Sequence, residues 1–198
     1  MQSDTRRRIL DTTADLFRRH GYTGTGLKQI VAAANAPFGS IYHFFPGGKQ
    51  ELGEEVIRRS GRMYQELVEA VWSQGDDLVD GVRAVFDGAA EVLRATGYVD
   101  ACPIATVALE VASSNDTLRR ATADVFESWV TAAAERLRAG GVPSRRARPL
   151  AIAVIQLLEG GFMLSRAAQD TEAMDAAGAA AIELVAAAVR RGKLPAAR

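Results

Sequence analysis

The side chains best suited to meet a polyanion lie between residues 25 and 49. Thr25 and the main-chain amides around Gly26 head a short stretch with helical spacing that carries Lys28, and the free N–H groups of a helix start attract anions. Further on, PFGSIYHFF sets Pro37, Phe38, Gly39 and Ser40 at the beginning of a second short stretch. The major groove of DNA is about 12 Å wide and admits one helix, whose N-terminal residues must reach base edges. Gly39 permits that close approach. In this register Ile41 and Phe45 face inward, while Tyr42 and His43 point toward phosphates. Lys49 stands at the next helix start, ready for a backbone oxygen. Tyr42 has a second reading, as a plug in a small core, and His43 is open in the same way.

No other chemistry assembles. There is no nucleophile with a matching base and acid, no glycine-rich phosphate loop and no metal-ligand spacing, so neither catalytic residues nor a cofactor are expected. Two histidines and one cysteine are too few for a metal cage. Cys102 cannot form an internal disulfide and fits a reducing cytoplasm; it reads as a small apolar filler, with redox sensing as the alternative. The N-terminus carries charge through its apolar stretch, unlike a signal peptide, and no apolar run approaches the roughly 20 residues that span a bilayer. The net charge of zero conceals an imbalance: residues 1–50 hold seven Lys and Arg against three Asp, and the remainder is correspondingly acidic. A basic head on an acidic body fits a partner such as nucleic acid. Arg6, Arg7 and Arg8 read either as a solvated charge run or as a DNA-contacting arm. Two other classes stay open on the residues alone: an all-helical enzyme or carrier with a structural N-terminal module, and a protein-interaction module.

The elements that must position these residues are helices. Periodicity near 3.6 runs through the chain and period-two alternation is almost absent. Ile9, Ala14, Leu16 and Phe17 share one side of a helix from about Thr5 to Arg19, with Ser3 or Asp4 as N-caps and Gly21 as its left-handed stop. Leu27, Ile30, Val31 and Ala34 mark the second helix, followed by Asn35, which tolerates the left-handed conformation. Pro37 opens the third. After Pro46-Gly47-Gly48 a long helix runs from Lys49 to about Gln74. Later helices follow Leu78–Leu93, Pro103–Val111, Leu118–Leu137, a start at Pro149, and Glu172 to Arg191. The expectation is an all-α fold of about nine helices: a three-helix helix-turn-helix domain and a C-terminal helical bundle.

TRRRILDTTADLFRRHGYTGTGLKQIVAAANAPFGSIYHFFPGGKQEL resembles the DNA-binding domain of the TetR family of transcriptional regulators nearly end to end. The resemblance rests on Ile9, Ala14, Phe17, Gly21-Tyr22, Thr25, Ile30, Ala33-Ala34, Gly39, Ser40, Tyr42, Phe44 or Phe45, Pro46, Lys49 and Leu52. The chain departs from the family pattern with Gly26 for a serine or threonine cap, Val31 for alanine, Asn35 for glycine, and Phe38 for a polar or basic residue. The doubled glycine also lengthens the turn before Lys49. Phenylalanine can touch a thymine methyl but cannot hydrogen-bond to a base. The stretches GYVDACPIATVALEVA and LLEGGFMLSRAAQD, with Phe126 and Trp129 between them, resemble the LmrA/YxaF-like C-terminal domain.

The resemblance implies a DNA-binding domain at 1–60 and a ligand-binding and dimerisation domain at 61–198. It implies a homodimer joined through the last two helices, a palindromic double-stranded operator, and a repressor released by a small apolar or aromatic effector. Phe86, Cys102, Val107, Phe126, Trp129, Glu159 and Phe162 are the candidate effector contacts. The aromatic ones read equally as plain core, and Glu110 and Glu159 as half-exposed carboxylates.

Overall fold

The computed structural model describes residues 2–75 and 77–192, and the side chains of that range from Asp4 onward; the first helix begins at Gln2, so Ser3 and Asp4, expected as its N-caps, lie within its first turn instead. Among these residues the chain forms nine α-helices and no strand. They are α1 (Gln2–His20), α2 (Leu27–Ala33), α3 (Gly39–Phe44), α4 (Gly48–Trp72), α5 (Leu78–Ala95), α6 (Pro103–Val111), α7 (Asp116–Ala139), α8 (Ser144–Ala168) and α9 (Glu172–Gly192). The fold is all-α. Its two compact units are interleaved along the chain: Met1–Tyr64 with Ala101–Phe126, and Gln65–Asp100 with Glu127–Arg198. Residue 60 falls inside α4, and α6 with the start of α7 packs with the N-terminal helices.

The first unit is built on Ile9, Phe17, Ile30, Ile41, Phe45 and Leu52, all fully buried. Their burial supplies most of its stability, at roughly 1.5–3 kcal/mol per large side chain. Ion pairs Arg6–Glu55 (2.6 Å) and Arg59–Asp11 (2.8 Å) tie α1 to α4; being half-exposed, they add about 1 kcal/mol at most. The helix ends are closed locally. Gly21, at φ +70°, terminates α1 and donates its N–H to Phe17 O at 2.9 Å. Asn35 takes φ +48° beyond α2, whose last carbonyls also receive the Arg8 Nε–H at Ala34 O (3.2 Å). Pro37 does not open α3 as its ring geometry predicts; Pro37 and Phe38 form a turn, with Ser40 N donating to Pro37 O, and the helix begins at Gly39. Ile104, Val107 and Val111 of α6 and Leu118, Ala121 and Val125 of α7 complete the unit's buried set.

The second unit centres on Phe86, Leu93, Leu137, Met174 and Val185, with α9 lying along α5 and α8. Small residues let these helices approach: a Cβ on Gly178 would stand 3.0 Å from Phe86 Cβ, and one on Gly161 3.0 Å from Met174 Sδ. α8 starts at Ser144, five residues ahead of Pro149, so the proline sits inside the helix. A bidentate pair from Arg148 to Glu127 of α7 (2.7 and 2.8 Å) holds this first part of the helix. By length and composition α8 can cross a membrane, contrary to the expectation that no stretch could. Its only charge between Leu150 and Ser165 is Glu159. One face of α8, with Leu150, Ala151, Val154, Gly161 and Ser165, is buried inside the unit.

Gly21 carries a double constraint, since a Cβ there would take a left-handed backbone and collide with the Glu110 carboxylate. Gly21→Ala should lower stability by about 2 kcal/mol in urea unfolding, of which about 1–2 kcal/mol is the backbone cost. In a Glu110→Ala background the steric part disappears and the backbone part remains. Equal stability of Gly21→Ala and the parent chain would contradict this reading of the turn.

Candidate nucleic-acid interface

α3 is six residues long and donates Ile41 and Phe45 to the core, four positions apart and both fully buried. Pro37, Phe38, Gly39, Tyr42 and His43 are exposed, and Ser40 is half-buried. Phe38 is 45% exposed and Tyr42 53%, and their rings meet edge to face with centroids 6.1 Å apart. Tyr42 is therefore no core plug. Phe38 occupies the N-cap position of α3, where it makes no side-chain cap. A serine, threonine, asparagine or aspartate there typically gains about 1 kcal/mol, and an aromatic ring left in water forgoes its burial energy. The cap is not made within the chain, and the Tyr42 edge contact covers only part of the ring. Gly39 has no internal reason to be glycine: a Cβ on it would meet nothing within 4 Å, and its φ is not left-handed. Gly26, at the N-cap of α2, is open in the same way, and its N–H reaches Gln29 Oε1 at 3.4 Å.

Two residues expected to face phosphates have partners within the chain. Thr25 is fully buried, and its hydroxyl donates to Gly21 O at 2.7 Å, so it shapes the turn rather than offering a group to a phosphate. Lys49 is half-buried, and its Nζ lies over the Tyr22 ring, 4.3 Å from the centroid. Burial lowers its pKa, with the Glu110 carboxylate pulling the other way, while burial raises the pKa of Tyr22. The exposed cation beside the reading helix is Lys28 on α2. Arg6, Arg7 and Arg8 form no free arm, since Arg6 pairs with Glu55 and both Arg7 and Arg8 bond Asp4.

Glu110 is the positioning residue that sequence reasoning left as a half-exposed carboxylate. From α6 it accepts the Thr23 N–H at 2.7 Å, beside Gly21 and within electrostatic reach of Lys49. It thus holds the α1–α2 turn, and with it the orientation of α2. No spacing rule links it to residues so distant in sequence; only a glutamate inside an apolar stretch marked it.

The expected effector residues divide between the units, Cys102, Val107 and Phe126 in the first and Phe86, Trp129, Glu159 and Phe162 in the second. Val107 and Phe86 are core residues of their own units, and Cys102 caps α6 by accepting the Ala105 N–H at Sγ (3.4 Å). The second unit also carries an open, polar cleft of about 420 Å³ lined by Glu66, Glu69, Glu135 and Arg136, none of them expected. On α8, Ile152, Met163 and Leu164 are exposed, and on α9 Leu184 is. Gly160 lies along the same α8 face with open space where its Cβ would be, whereas Gly161 faces Met174.

Residues 9–56 match the family described as bacterial regulatory proteins, tetR family, and residues 79–180 match the transcriptional regulator LmrA/YxaF-like C-terminal domain. The chain is 34% identical over 169 residues to the HTH-type transcriptional regulator YxaF of Bacillus subtilis, covering 85% of this chain and 88% of that one. It is 30% identical over 168 residues to LmrA of the same organism, covering 85% and 89%. Among solved structures, the reduced form of E. coli NemR superposes with a TM-score of 0.80 at 21% identity, covering 90% of this chain and 95% of that one. A TetR regulator from Chloroflexus aurantiacus superposes with a TM-score of 0.78 at 26% identity, covering 93% and 96%. With α3 inside the N-terminal match and α5 to α8 inside the C-terminal one, the chain belongs to the TetR family of DNA-binding transcriptional regulators and carries the LmrA/YxaF-like C-terminal domain.

Proposed function

We propose that the protein is a cytoplasmic, homodimeric repressor that binds a palindromic operator through paired copies of α3 and is released by a small apolar or aromatic effector. The observation that carries the DNA contact is the outward face of α3, where Phe38, Gly39, Ser40, Tyr42 and His43 stand free of the core that Ile41 and Phe45 enter. Repression is supported by the likeness to E. coli NemR, a transcriptional repressor 28% identical over 121 residues. Dimerisation is supported by the apolar face that α8 and α9 leave uncovered: Ile152, Gly160 and Leu164 on one, Ala176, Ala180 and Leu184 on the other, each set spaced by four or eight residues. Small residues in such a stripe let four helices close against one another. Of the expected effector contacts, Phe86, Trp129, Glu159 and Phe162 belong to the second unit, where the effector is proposed to bind. It need favour one state of the dimer only tenfold, about 1.4 kcal/mol, to matter, and operator DNA must weaken its binding by the same factor.

The test is binding to duplex DNA enriched from a random library by the protein itself. Lys28→Ala should reduce the slope of log affinity against log salt by about 0.9, the value of one lost phosphate contact. Tyr42→Ala should weaken binding without changing that slope, because the side chain is neutral. Unchanged affinity in both variants would remove α3 from the interface. Gly39→Ala should separate stability from function: with no internal clash it gains a few tenths to about 1 kcal/mol in stability, yet it loses DNA affinity because the added methyl stands where the groove wall must come.

The dimer is tested by sedimentation at micromolar concentration. Gly160→Arg should give a folded monomer, since the new side chain enters open space in its own chain but blocks the partner helix. A parent chain that sediments as a monomer would overturn the assembly.

A further inference from the structure

We infer that Phe38 reads thymine by its methyl group, making base selection at the start of α3 an apolar contact rather than a hydrogen bond; this rests on the DNA-binding reading of α3 above. Pro37, Phe38 and Gly39 together present no side-chain donor or acceptor where the helix begins. The Phe38 ring is 45% exposed, touches Tyr42 through an edge contact, and leaves the cap of α3 unmade. Its backbone is already helical, with φ −56° and ψ −39°, so the ring is held at the head of the helix rather than on a loose loop. Gly39 beside it adds no Cβ that could shield the ring. Among the base edges of the major groove, the thymine C5-methyl is the one apolar group. A phenyl ring with no polar atom can distinguish base pairs there only by burying that methyl or by finding it missing. Ser40, Tyr42 and His43 supply the polar contacts farther along the helix.

Replacing thymine by deoxyuridine deletes the methyl and leaves the Watson–Crick pair and the O4 acceptor intact. The probe is the duplex that the full-length protein enriches from a random library, with each thymine substituted in turn, symmetrically in both half-sites. Binding is read by fluorescence anisotropy at fixed salt. One thymine per half-site should stand out, its loss costing about fourfold per half-site and about fifteenfold for the pair, the factor expected from burying one methyl group. Cytosine at that position should bind poorly and 5-methylcytosine should recover part of the loss. Phe38→Ala, with an unchanged melting temperature because the ring is not core, should bind more weakly and become indifferent to all three replacements. If the parent protein is insensitive to deoxyuridine at every thymine, the inference falls while DNA binding stands. It falls equally if Phe38→Ala retains the full deoxyuridine penalty, since another group would then read the methyl. Failure to enrich any duplex would overturn the DNA-binding reading, and this inference with it.

Discussion

Everything at the reading head depends on the burial of Ile41 and Phe45. A six-residue helix is far below the length that holds in water, because nucleating the first turn costs more than so few hydrogen bonds return. α3 persists because these two side chains, one turn apart, are fully buried in the unit whose core also holds Ile9, Phe17, Ile30 and Leu52. The same anchoring fixes its rotation. With 41 and 45 inside, Gly39, Ser40 and His43 lie on the far side of the helix, while Phe38, ahead of its first turn, and Tyr42, on its flank, are exposed as well. Gly48, at φ +66°, then lets the chain leave α3 and begin α4, with Gly47 N–H donating to Glu51 at 2.6 Å.

Around that core the charged residues act mainly as clamps. Arg6, Arg8 and Arg59 hold α1 against its neighbours instead of reaching outward. Glu110 ties α6 to the turn at Gly21 and Thr23, so α6 belongs mechanically to the reading head. Lys49 lies over Tyr22 in the same neighbourhood. The outward face is consequently poor in cations and rich in aromatic and small residues. On the proposed interface, affinity would come from close fit and backbone approach more than from counterion release, and a modest salt dependence is the expected outcome.

Much of this was legible in the amino-acid sequence because it is set locally. The helix order follows from 3.6-residue periodicity, and the inward turn of Ile41 and Phe45 is the same rule applied to one turn of helix. Gly21 and Asn35 reveal left-handed positions because few other residues tolerate them. What was not legible depends on partners remote in sequence. Thr25 and Lys49 have the residue types of phosphate ligands, but Gly21 O and the Tyr22 ring claim them. Pro149 has the look of a helix start, yet Ser144 begins α8, where the Arg148–Glu127 pair supports the added turn. Gly160 and Gly161 are adjacent and chemically identical, and only packing against Met174 shows which faces inward. The membership of α6 in the reading head has no local signal at all.

The central question is whether the exposed face of α3 is what DNA covers. Hydroxyl-radical footprinting of the full-length protein measures this side chain by side chain, with and without an enriched duplex. Phe38 and Tyr42, both exposed in the free chain, should lose most of their reactivity on binding, while exposed Met63 on α4 keeps its own. Saturating DNA binding with Phe38 and Tyr42 still fully reactive would contradict the account.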